Sequence, residues 1–322
     1  MNDKLQAFCN RVSKNIVTAS EMYKLNYSSS AVAFGIANAD READLDKIAE
    51  AKQIIKEKVG AFSVFGGGAP RMLLISKMAG SGDPLETFNK INEIYNSMKK
   101  VFCDSAFIGV LAAFLTGYQK DLGELSKRSS ELIKFLKKKH GFLGVTSEDH
   151  FFIAFMAASD KSIEDMMSES EAIFEAVRGE FKFAKSNAYL LSYLLSTYDE
   201  LTEWKLKTSL ALLKELKESK FSLSSYNTIS ILAPLTAASM RTDRHILVCD
   251  TVEADKFLAS QKVIGGFFGI SENIRHILAA ALVLKTHAEE ADEPFSIAEY
   301  LTAMSCQSQI KSEQDSSTYV PD

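Results

Sequence analysis

The chain has 322 residues, 46% of them hydrophobic and 25% charged, which suits one large globular domain or two ordinary ones. A formal net charge of -5 and an isoelectric point near 5.7 argue against a general nucleic-acid or anionic-membrane binder, because either needs a basic face. With only 5 prolines and 16 glycines, long helices are permitted nearly everywhere.

Residues 1–24 read as a leading amphipathic helix through Leu5, Phe8, Val12 and Ile16, expected to cap the first helical unit. The opening MNDKLQAFCNRVSK lacks the apolar core and cleavage site of a secretory signal, and apolar runs such as ILAAALVL (277–284) are too short to span a bilayer. Cys9, Cys103, Cys249 and Cys306 are far apart with no CxxC, so reduced thiols and a cytoplasmic location are expected, with no membrane association.

From residue 31 onward the chain repeats itself. Phe62, Phe102, Phe142, Phe181, Phe221 and Phe267 stand in similar junctions, at steps of 40, 40, 39, 40 and 46 residues. Self-similarity of that period marks a repeat architecture. Soon after each of these phenylalanines comes a short apolar segment: MLLISKMA (72–79), FIGVLAAFL (107–115), FIAFMAAS (152–159), SYLLSTY (192–198), ILAPLTAA (231–238) and ILAAALVL (277–284), with AVAFGIANA (31–39) as an irregular first copy. A longer amphipathic segment comes next, as in PLETFNKINEIYNSMKKVF (84–102), SIEDMMSESEAIFEAVRGEF (162–181) and ELTEWKLKTSLALLKELKESKF (200–221). Asp83-Pro84 is a cap with proline at the first helical position, and Ser162 with Asp165 resembles a capping box.

The pattern predicts an all-α fold of about seven helical hairpins, each of roughly 40 residues. The short helix is apolar all round and must be covered on every side, so it belongs to an inner layer, with the amphipathic helix outside. Such hairpins form an open α-solenoid or, if they curve far enough, a closed α/α toroid. Residues 1–310 are expected to form one helical-repeat domain, and the polar stretch 311–322 a disordered tail.

The stretches that could carry chemistry mostly have structural explanations. FGGGAPR (65–71) precedes a helix but lacks the Gly-Lys-Ser/Thr of a P-loop, and it occupies a repeat junction. His245 and Cys249 share a helix face four residues apart, which is too few ligands for zinc, and no metal site or cofactor is predicted. The run KFLKKKHGF (134–142) suits a helix C-terminus, and Pro234 should kink its inner helix. One constellation comes from the repeat register: Arg71, His150, Tyr189, Arg275 and His276 fall eight or nine places after their junction phenylalanines, near the starts of inner helices. In a closed array they would meet at one mouth, where free helix N–H groups add positive potential, and a polar or anionic ligand is expected there. No catalytic triad, paired carboxylates or nucleophile elbow is readable, which leaves enzymatic activity undecided.

The small apolar inner helix, the amphipathic outer helix and the connecting turn resemble the α/α-toroid folds of prenyltransferases and terpene cyclases, in architecture only. Their aspartate-rich motifs are absent, and DREAD (40–44) opens an ordinary outer helix. Over most of its length the chain also resembles an uncharacterised bacterial family, the domain-of-unknown-function family 4003, through FIAFMAASDKSIEDMMSESEAIFEAV and KKKHGFLGVTSED. That resemblance implies no activity. Two functions are therefore carried forward. One is a protein-interaction or scaffold module, which predicts an open array with a long groove and an unidentified protein partner. The other is a toroidal protein holding a small molecule in a central cavity, which predicts touching ends and a deep pocket near Arg71, His150 and His276.

Overall fold

A computed structural model describes residues 2–23, 27–60, 63–140, 145–181, 184–261, 264, 270–287 and 296–317, and all regular structure among them is helical. The junction residues Phe62, Phe142 and Phe267 lie outside the described residues, whereas Phe102, Phe181 and Phe221 are buried.

The helices follow the repeat. The inner ones, short except for the last, are α2 (Tyr27–Asn38), α4 (Gly68–Gly80), α6 (Ala106–Phe114), α8 (Asp149–Ala157), α10 (Lys185–Ser196), the pair α12 (Tyr226–Ile229) and α13 (Leu232–Ala238), and α15 (Glu272–His287). The longer outer ones are α1 (Asp3–Met22), α3 (Leu45–Lys58), α5 (Pro84–Met98), α7 (Leu122–His140), α9 (Ile163–Val177), α11 (Thr202–Glu218) and α14 (Arg244–Ser260). A last helix, α16, runs from Ile297 to Ser317.

The expected punctuation is present. Glu86 N–H donates to the Asp83 side chain at 2.9 Å with Pro84 at the first helical position, and Asp165 N–H donates to Ser162 Oγ at 3.0 Å. Pro234 lies within α13, and the break falls at Ser230–Ile231. The proline has no N–H for the Ser230 carbonyl and its ring crowds that residue, so the inner helix splits four residues upstream.

The pairing differs from the expected hairpin by one helix. Each outer helix packs chiefly on the inner helix that comes after it: α1 on α2, α3 on α4, α5 on α6, α7 on α8, α9 on α10, α11 on α13 and α14 on α15. By this pairing α1 is the outer member of the first hairpin. Four cations strengthen the register by binding carbonyl oxygens at the C-terminal ends of inner helices, where the helix dipole favours positive charge. Lys47 reaches Ser81 O (3.4 Å), Lys90 reaches Thr116 O (2.9 Å), and Arg128 reaches Ala157 O, Ser159 O and Lys161 O (2.9, 2.9 and 2.7 Å). Lys205, 1% exposed, caps α10 through Leu195 O and Tyr198 O (3.0 and 2.7 Å) and pairs with Glu169 at 2.5 Å; Glu169 also holds Lys161.

Successive inner helices touch from α2 round to α15, α15 packs on α1, and α1 on α2, so the contacts form a closed circuit. Glycine permits the closest approach: a Cβ at Gly35 of α2 would lie 2.1 Å from Ser76 Oγ of α4. Inside the circuit sits α16, packed on α2, α4, α6, α12 and α15. It is buried on nearly all faces from Ile297 to Gln307, with Tyr300 among the rings of Phe114, Phe151 and Phe155 (centroids at 6.3, 5.5 and 4.6 Å). Lys77 pairs with Glu299 at 2.5 Å near one end, and Lys311 with Glu148 at 2.6 Å near the other. Two expectations change here. The central space holds a helix rather than a ligand cavity, and α16 continues past Lys311 to Ser317, into the stretch for which disorder was expected; residues 318–322 lie outside the described residues.

Replacing Lys205 with alanine should cost about 3 kcal/mol, because it strips a buried charge from Glu169 and from two helix-end carbonyls. Lys90→Ala, at an exposed cap, should cost less than about 1 kcal/mol. Urea unfolding of both variants checks the ranking.

Candidate functional site

The chemistry gathers where α8 and α10 begin. Thr146 turns the chain into α8, and its N–H and Oγ1 both donate to Asp149 Oδ2 at 2.7 and 2.9 Å. Tyr226, on the first turn of α12, donates its hydroxyl to Asp149 Oδ1 at 2.5 Å. Burial and the neighbouring Asp149 carboxylate hold the Tyr226 phenol well above its ordinary pKa, so it stays a donor. Asp149 thus accepts three hydrogen bonds, all from uncharged groups. Next to it Glu148 pairs with Lys311 from the end of α16.

These residues edge a cleft of about 510 Å³ between α8 and α10. Its floor is Leu136, Phe152, Ile153, Met156 and Leu190. One wall is aromatic: Tyr189 stacks on Phe174 with centroids 4.0 Å apart, and Tyr193 lies 6.1 Å further on. Burial, then the nearby Tyr189, Glu171 and Asp149, raises the Tyr193 phenol, which is therefore neutral at ordinary pH. At the edge of the cleft stand Lys185 and Ser186, the first residues of α10, whose N-cap position Ala184 offers no side-chain cap. The size and the mainly apolar lining, with a few convergent polar groups, match small-molecule sites in general. A broader cleft of about 980 Å³ lies along the turns before α10 and α12, lined by loop residues and by the stems of Lys214 and Lys217. Among the described residues no group of three or more His, Cys, Asp or Glu side chains could hold a metal ion.

Of the five residues singled out by the repeat register, Tyr189 lines the cleft. The other four sit near the starts of inner helices, as their register requires, but each has a local partner. Arg71 donates to Gly66 O at 2.9 Å. Arg275 makes a two-pronged pair with Asp255 (2.7 and 3.4 Å) and reaches Glu272 at 3.6 Å. The two histidines share one packing motif. His150 of α8 lies on Phe102, and His276 of α15 on Phe221, with centroids at 4.7 and 4.0 Å. Both phenylalanines belong to the junction one repeat earlier, so the aligned position holds neighbouring repeats together. Burial lowers the pKa of His150 to about 4 and lowers that of His276 too, so both rings are neutral at ordinary pH.

The other flagged features also resolve. At the glycine-rich loop Gly68 adopts φ +62°, and a Cβ there would lie 3.4 Å from Glu313 Oε2; the chain's own carboxylate stands beside that helix start. His245 Nε2 lies 3.6 Å from Cys249 Sγ on the exposed face of α14, with Glu215 3.9 Å from His245 Nδ1. Sequence reasoning does not single out Asp149, Lys185, Tyr193 or Tyr226. Asp149 reads there as an ordinary acid at a helix start, and the tyrosines meet it only through the stacking of repeats.

A family model described as protein of unknown function (DUF4003) matches residues 15–315, and the chain belongs to that family. No curated protein and no solved structure matches. No helix among the described residues is long and apolar enough to cross a membrane.

The histidine packing has a pH signature. With its pKa lowered to about 4 from an ordinary 6.5, folded His150 takes up its proton later than the unfolded chain does. The stability from the neutral ring is therefore complete above about pH 6.5 and is lost as the pH falls towards 4. Between pH 7 and pH 5 this amounts to about 1–2 kcal/mol. His150→Phe, which keeps the stack on Phe102, should flatten the fall in Tm over that interval, as measured by thermal unfolding at a series of pH values.

Proposed function

We propose that this member of the DUF4003 family is a binding protein for a small, largely apolar molecule held in the cleft between α8 and α10. One observation carries the reading: a 510 Å³ space with an aliphatic floor, a tyrosine wall and a few polar groups converging at its edge. The central-cavity version loses its support, because α16 lies where that ligand would sit. A scaffold would offer a long open groove, and the packing of α15 on α1 leaves the row of hairpins no free end to extend one. No catalytic step is part of the reading. Action in the cytoplasm belongs to the same proposal and is supported by four widely spaced free thiols.

Ser186 stands exposed at the lip, so Ser186→Trp should close the cleft without disturbing the core. An apolar probe that binds the unaltered chain should bind this variant about tenfold or more weakly while the Tm stays within about 2 °C. Calorimetric titration with a phenyl-bearing alcohol and thermal unfolding test the two halves. Equal binding by both proteins would move the site elsewhere.

A further inference from the structure

This inference rests on the proposed cleft and concerns the chemistry of its occupant: we infer that the molecule is a protonated amine carrying an apolar, ring-sized body. The charges edging the cleft are two carboxylates, Glu148 and Asp149, and one ammonium, Lys185. Glu148 is already matched by Lys311 at 2.6 Å. Asp149 is not matched. Its oxygens are held by Thr146 N–H, Thr146 Oγ1 and Tyr226 OH, none of which carries charge, and no cation of the described residues comes within ion-pair distance of it. Three neutral donors fix the carboxylate in place, but they bring no positive charge to the edge of this apolar space.

The aromatic wall supports the same sign. The Tyr189 and Tyr193 rings line the cleft, and the face of a phenol ring attracts a cation and repels an anion. Tyr189 is steadied by its stack on Phe174, and Tyr193 packs on Tyr189 in turn. Lys185 is the one feature of opposite sense. It is exposed at the lip, where water screens it, whereas Asp149 is partly buried against Tyr226. An ammonium group near Asp149, with its apolar body over Phe152, Ile153 and Met156, meets the carboxylate, the ring faces and the floor together. A carboxylate ligand would face an unmatched Asp149 and two electron-rich rings, with one screened lysine in its favour.

The test uses three probes with one body: phenylbutylamine, phenylbutanol and phenylbutanoate. They are titrated into the full-length protein at neutral pH and followed by calorimetry and by the NMR signal of the Met156 methyl group. The amine should bind about tenfold tighter than either of the others and shift the Met156 signal. Asp149→Asn should erase that preference while leaving the alcohol's affinity within about twofold. If Asp149→Asn does not fold, Glu148→Gln (which lowers the same negative potential) should reduce the preference, and the unaltered protein's ranking still decides. An alcohol or carboxylate that binds as tightly as the amine overturns the inference and leaves the cleft standing as a binding site. If none of the three moves the Met156 signal, the cleft reading fails and this inference falls with it.

Discussion

Helices that are apolar on every face must be covered on every face, and the rest of this structure depends on how that cover is supplied. The outer helices cover one side and neighbouring repeats cover two more. The fourth side faces inward. The seven inner helices, closed into a circuit through α1, leave a central space of roughly one helix width. That space admits one helix, and α16 occupies it, buried from Ile297 to Gln307. Its composition fits the narrow space: Ala298, Ala303, Ser305 and Cys306 let backbones approach, while Tyr300 fills the wider part against Phe114, Phe151 and Phe155. A larger apolar side chain at each small position would push the inner layer apart.

Much of this is legible in the residues, and the parts that are not have a common cause. The all-α class, the period near 40, the two helix characters, the caps at Asp83 and Ser162 and the break at Pro234 are local properties, set by spacing and by single side chains. The pairing of each outer helix with the next inner one is not local, because both phases of the repeat bury the same faces. The place of α16 is further from view. YLTAMSCQSQ is no more apolar than a surface stretch, and nothing in its periodicity says that it is surrounded. Its burial is dictated by the hole that the other helices leave. For the same reason α16 continues into a polar stretch that composition alone assigns to a tail: its side chains Lys311 and Glu313 find Glu148 and the start of α4.

The repeat register also bears on why four of the five aligned residues have local partners. Positions that recur along a repeat array tend to do what recurs there, namely pack one unit on the next. His150 on Phe102 and His276 on Phe221 are the same contact made twice. A binding site needs the opposite, a place where the units differ. The α8–α10 cleft is such a place: the capping set of Thr146 and Asp149, the hydroxyl of Tyr226 from a later repeat and the Tyr189–Tyr193 wall occur together once among the described residues. Residues that depart from the alignment, rather than those that obey it, are the better guide.

The treatment of charge elsewhere in the molecule sharpens the contrast. Two cations that hold helices together elsewhere in the molecule have carboxylate partners. Lys205 has Glu169 and two carbonyl oxygens, Glu169 also has Lys161 and Thr202, and Arg275 has Asp255 and Glu272. In each set a charge meets an opposite charge, as expected for groups whose task is to hold helices in register. Asp149 is equally well fixed, with as many hydrogen bonds as a carboxylate in a structural set, yet every donor is neutral. Hydrogen bonds of that kind orient a charge without cancelling it. The result is a fixed carboxylate with no cationic partner among the described residues, at the edge of an apolar space beside aromatic rings, which is the arrangement the proposed cation would complete.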